Sequence, residues 1–176
     1  MLTKWYKEIL KYIPISAWTM RYGPQIKCID GTTRHLTMTG NNSYPVWMSD
    51  NFSLSATGFG YKVGNGTTMP NENDYSMESI ITAGLTGSVS STGSRNSDGN
   101  VVKLVAITLN NTSSGPITIS EVGYYGTMQF VNSEGASSLT NAQVLFSRDL
   151  LDTPVTINAG DSAIINYRFI ADDDDA

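Results

Sequence analysis

The stretch VVKLVAITLNNTSSGPITISEVGYY, residues 101–125, decides the fold. Its first nine residues, Val101 to Leu109, are apolar at nearly every position, the pattern of a central strand buried on both faces. NNTSSGP then marks a turn, because Asn, Ser, Gly and Pro supply the backbone angles and local hydrogen bonds of a reversal. In the second run Ile117 and Ile119 share one parity, while Val122 and Tyr124 share the other. A slip of one residue near Ser120 and Glu121 is what a β-bulge produces. It makes Glu121 a partly buried acid with a structural hydrogen-bonding role rather than a catalytic one, since no partner acid or His lies near it in sequence.

Working outward, QVLFSRDLL (143–151) and PVTI (154–157) read as two further strands, and NAGD (158–161) reads as a turn. In SAIINYRFI, Ala163, Ile165, Tyr167 and Phe169 face one way while Asn166 and Arg168 face the other, as in a half-buried outer strand. Towards the N-terminus, QIKCIDGTTRHLTMT (25–39) has short β-type runs on both sides of Asp30-Gly31, a dipeptide that favours a tight hairpin. GNNSYPVWMS (40–49) reads as a loop whose Tyr44 and Trp47 form either a ligand-stacking surface or a buried plug, the plug being favoured. Strands spaced by about ten residues with turn signals between them predict an all-β fold. The expected form is an antiparallel β-sandwich, Ig-like or jelly-roll-like, over residues 15–171.

Residues 1–14 break this pattern. Leu2, Trp5, Tyr6, Ile9, Leu10 and Ile13 recur at spacings of three and four, one face of an amphipathic helix that Pro14 stops. So short a helix needs a surface to dock on, its own domain or a neighbouring subunit, and these six residues are the candidate docking set. The tail at 172–176, with four adjacent acids, reads as a solvated acidic run.

Only 15% of the 176 residues are charged, against about 25% in ordinary soluble domains, and the net charge is −5. That balance argues against nucleic acid as a partner, which requires clustered Lys and Arg to displace counterions. No run is apolar and long enough to cross a bilayer as a helix, and Lys4, Lys7, Glu8 and Lys11 interrupt any signal-peptide core, so the expectation is a cytoplasmic chain with no membrane partner.

The stretch FGYKVGNGTTMPNENDYSMES (59–79) lacks the Lys that a phosphate loop needs after its second glycine, and its glycines miss the dinucleotide spacing. Glu72, Asp74 and Glu78, like Asp98, lack the alternating ligand pattern of a calcium loop. Cys28 and His35, the only residues of their types, offer no zinc spacing, and no acid is in place to orient them for nucleophilic catalysis. The reading is non-enzymatic, with no cofactor and no metal. Residues 59–79 then read as a connector between the hairpin region and the main domain, in which Gly64 and Gly66 permit the turn, Pro70 stiffens the exit and Asp74 caps the segment from Tyr75.

VGNGTTMPNENDYSMESII (63–81) resembles a motif of structural proteins in tailed-bacteriophage particles, and three other segments agree with those proteins in order. These are IDGTTRHL (29–36), ITISEVGYYG (117–126) and VLFSRDLLDTPVTINAGDSAIINYRF (144–169). The resemblance covers residues 21 to 170 and implies a β-sandwich virion component, assembled in the host cytoplasm. Its implied partners are copies of itself, in a ring or lattice, and other virion proteins. Tail, baseplate, neck, fibre-attachment and capsid-decoration roles stay open, the tail or neck being favoured. The alternative is a carbohydrate-binding module in which Tyr44, Trp47, Tyr124 or Tyr125 stacks on sugar rings.

Overall fold

The computed structural model describes residues 1–4, 7, 24–36, 46–47, 49–55, 57–95, 101–131 and 139–171. Among the described residues nine strands run in chain order: β1 (Gln25–Lys27), β2 (Thr33–Leu36), β3 (Val46–Trp47), β4 (Gly60–Gly64), β5 (Leu85–Arg95), β6 (Val101–Asn111), β7 (Ile117–Val131), β8 (Leu139–Ile157) and β9 (Ser162–Ala171). They form one six-stranded and one three-stranded sheet, and every pairing between these strands is antiparallel. From residue 24 onward the described residues are all-β, as expected.

β7 organises the larger sheet. One of its edges pairs with β8 along its length, and the other is shared end to end by β2 at Phe130 and Val131, β3 at Thr127 and Met128, and β4 from Glu121 to Tyr125. Being flanked on both sides leaves every residue from Ile119 to Gly126 buried. β1 joins through the expected hairpin, in which Gly31 adopts φ +78° and Asp30 Oδ1 accepts from the Thr32 amide at 2.9 Å. Arg34 locks the turn with bonds of 2.8 and 2.6 Å to the Asp30 carboxylate.

The bulge expected at Ser120 is present. Ile119 pairs with Val155 and Glu121 with Leu150, so the register shifts here and Ser120 on β7 stands opposite Leu151 to Pro154 of β8 without a paired partner. The two strands read at 143–151 and 154–157 are therefore one long strand interrupted in its pairing. A second shift, between Tyr124 and Tyr125, leaves Phe146 as the extra residue.

In the smaller sheet β6 is central, between β5 and β9. Val105, Ile107 and Leu109 enter the core, but Leu104 is 49% exposed, so β6 is buried on one face rather than both. β9 follows its expected alternation, with Ile165 and Tyr167 buried and Asn166 and Arg168 exposed. One hydrophobic core takes side chains from both sheets. Its aromatic centre joins Tyr61 to Tyr124 at 4.5 Å between ring centroids, with Phe146 and Tyr167 packed edge-on at 5.9 and 6.4 Å.

Candidate functional site

The outer face of the larger sheet carries the densest polar chemistry among the described residues. Because of the bulge, Glu121 points away from the main core, and Arg148 reaches it from β8. Both are buried, at 0% and 3% exposure, so neither charge is tolerable without a partner. Arg148 Nε donates to Glu121 Oε2 at 2.8 Å, one terminal nitrogen donates to Asp74 Oδ2 at 2.7 Å, and the other donates to the Thr68 carbonyl at 2.9 Å. Burial opposes the Arg148 charge, but the bonds to Glu121 and Asp74 outweigh it and raise its pKa.

Glu121 in turn gathers the chain between β4 and β5. Its Oε1 accepts from the Ser79 amide at 2.8 Å and the Gly66 amide at 3.3 Å, and its Oε2 accepts from the Glu78 amide at 3.3 Å. Ser120 Oγ donates to the Gly66 carbonyl at 2.7 Å, and Tyr125 Oη accepts from the Met77 amide at 2.8 Å. Glu78 lies 3.6 Å from Arg148 and accepts from the Thr67 and Thr68 amides at 2.7 Å each; the Thr68 bond leads in lowering its pKa. Residues 65–81 are thus a strap tied across the sheet.

This corrects the reading of 59–79 as a connector. Gly60–Gly64 is a paired strand, and Asp74 accepts from Arg148 and from the Asn71 amide. Gly64 and Gly66 are needed for closeness rather than for a turn. A Cβ on Gly64 would lie 2.5 Å from Glu121 Oε1 and meet the Ser79 carbonyl, and one on Gly66 would lie 2.6 Å from the same Oε1. Of the acids considered as metal ligands, Asp74 and Glu78 face the Arg148 guanidinium, and no group of three or more metal-ligating side chains occurs among the described residues.

Beside the strap, Lys62 is buried with its Nζ 2.8 Å from the Ser55 carbonyl and 4.6 Å from the centroid of the Tyr125 ring. Desolvation pushes its pKa down to about 8. Cys28 is fully buried, its Sγ 3.8 Å from the Ile26 carbonyl, while the His35 ring lies 3.2 Å from Gln25 Nε2. The fold gives these two residues separate surroundings.

Of the candidate docking set, Leu2 is half-buried and bridges Ser147 on β8. The Thr3 amide donates to the Phe146 carbonyl at 2.8 Å and its Oγ1 to the Leu145 carbonyl at 2.6 Å, so this segment docks on its own domain. Lys4 and Lys7 are helical; Trp5, Tyr6, Ile9, Leu10 and Ile13 lie outside the described residues. So do Tyr44, Asp98 and the acidic tail, whereas Trp47 lies in β3, its backbone paired with Thr127 of β7, rather than in a loop, and Tyr124 and Tyr125 are buried and offer no stacking surface.

The outer face of the smaller sheet holds an open groove of about 400 Å³ lined by Ser90, Thr92, Leu104, Ala106, Asn166 and Arg168. Neither this face nor Arg148 stood out in the sequence. The signal for Arg148 is a single Arg within the strand run QVLFSRDLL, and its pairing with an acid 27 positions away depends on strand register. Compared with protein-family models, curated proteins and solved structures, the chain matches none.

Proposed function

We propose that this chain is a non-enzymatic structural component of the tail or neck of a tailed-bacteriophage particle, assembling with copies of itself and with neighbouring virion proteins. In this reading the two sheets form a β-sandwich, and the helical turn at Lys4 and Lys7 begins an amphipathic helix that continues over the first fourteen residues.

The observation that carries the proposal is the use made of Glu121 and Arg148. The most concentrated set of charges in the described structure ties the chain to itself, while β5 of the second sheet is Ser- and Thr-rich with a single charged residue. Internal cross-bracing beneath a weakly charged exterior suits a subunit that makes repeated polar contacts in a closed assembly. The order of the four matching segments supplies the phage context.

The test is proteomic and structural examination of the particles that carry this chain. A fixed copy number per particle, in a multiple of six, fits the tail or neck; hundreds of copies fit shell decoration; consistent absence from purified particles rejects the proposal.

A further inference from the structure

The fold treats its strand edges unequally. In the larger sheet the second edge of β7 is filled by β2, β3 and β4, and β8 receives Leu2 and Thr3 on its far side. In the smaller sheet the far edges of β5 and β9 both lack a partner strand among the described residues; β9 carries Tyr167, which bonds Ser147 of β8, whereas β5 pairs with β6 through an unbroken register of eleven residues. Natural edge strands are ordinarily blunted by shortness, by Pro, by bulges or by inward charges. β5, with the sequence LTGSVSSTGSR, is long and regular, contains no Pro, and has Arg95 as its only charge. Thr86, Ser88, Ser90, Ser91 and Thr92 are exposed, and nothing lies within 4 Å of a Cβ built on Gly93.

We propose that β5 pairs antiparallel with β5 of a second copy of this chain, joining two three-stranded sheets into one. The inference rests on the self-assembling role proposed above and names the surface that performs it. An edge of unpaired amides and carbonyls selects an extended strand as partner. The charge pattern selects a copy of itself: full overlap centres on Ser90, sets Ser88 against Thr92 and Leu85 against Arg95, and brings no like charges face to face. A two-fold contact of this kind is self-complementary, as a closed homodimer requires. The pairing also brings the two open grooves around Leu104 and Ala106 onto one continuous face.

Site-directed crosslinking of the full chain tests the register. Ser90→Cys, at the two-fold centre, gives a disulfide-linked dimer on mild oxidation, whereas Asn166→Cys on β9 does not. Sedimentation of the unmodified chain gives twice the 19.1 kDa chain mass. Ser90→Lys and Ser90→Glu each fall to the chain mass, and mixing them restores the dimer. Equal crosslinking at both positions, or a dimer that survives Ser90→Lys, overturns the β5 contact while leaving self-assembly through another surface in place. A chain that is monomeric at every concentration overturns both.

Discussion

Arg148 and Glu121, 27 residues apart in sequence and fully enclosed, share a bond of 2.8 Å that ties the two longest strands to the strap over them. The bond exists because the pairing of β7 with β8 shifts register at Ser120. Without that shift the alternation of β7 would turn Glu121 towards the hydrophobic core.

Removing either partner leaves the other buried and unpaired. Glu121→Ala and Arg148→Ala are each expected to cost about 3–5 kcal/mol in urea unfolding, while the double variant costs less than their sum by about 0.5–3 kcal/mol. Additive losses would show that the two side chains act separately.

The glycines of the strap are placed by contact, which sets them apart from glycines in open positions. Gly64→Ala and Gly66→Ala press on Glu121 and are expected to lose about 1–3 kcal/mol. Gly93→Ala meets nothing within 4 Å and is expected to be neutral or to stabilise by about 0.5–1 kcal/mol. Thermal unfolding of the three variants decides the comparison.

Lys62 makes stability depend on alkaline pH. Folded, it titrates at about 8; unfolded, near 10.5; between these values the unfolded chain holds more protons, so stability rises with pH across that window. Tyr61, Tyr125 and Tyr167 are shifted upward by burial, and they reverse the trend once pH passes the ordinary tyrosine value of 10.0. Lys62→Met is expected to exceed the unsubstituted protein in stability at neutral pH, with the advantage shrinking towards pH of about 10 in urea titrations.

At the opposite end of the pH scale, Arg34 holds the Asp30 carboxyl at about 2 against an ordinary 3.8. The stabilisation this brings to the hairpin is present above the ordinary value and is lost as pH falls towards the depressed one. An NMR titration of Asp30 should show the low value, and Arg34→Gln should return it towards 3.8.

Much of the architecture was legible because it depends on neighbours in sequence. Asp30-Gly31, the alternation of β9 and the parity slip at Ser120 each show in a few adjacent residues, and each is present in the fold. What did not show depends on register. The open outer face of β6, the continuity of β8 across Leu151 to Pro154, and the conversion of residues 65–81 from connector to strap follow from which strands lie side by side. The parity slip marks Glu121 as a structural acid, but nothing nearby marks Arg148 as its partner, because no local pattern encodes a contact 27 positions away.

The central claim is that this chain builds a phage particle, and quantitative mass spectrometry of purified particles tests it most directly. A constant copy number per particle that follows the symmetry of the assembly is the predicted result. Particles that are complete and infectious without the chain, in preparations where other structural proteins are recovered in full, would contradict it.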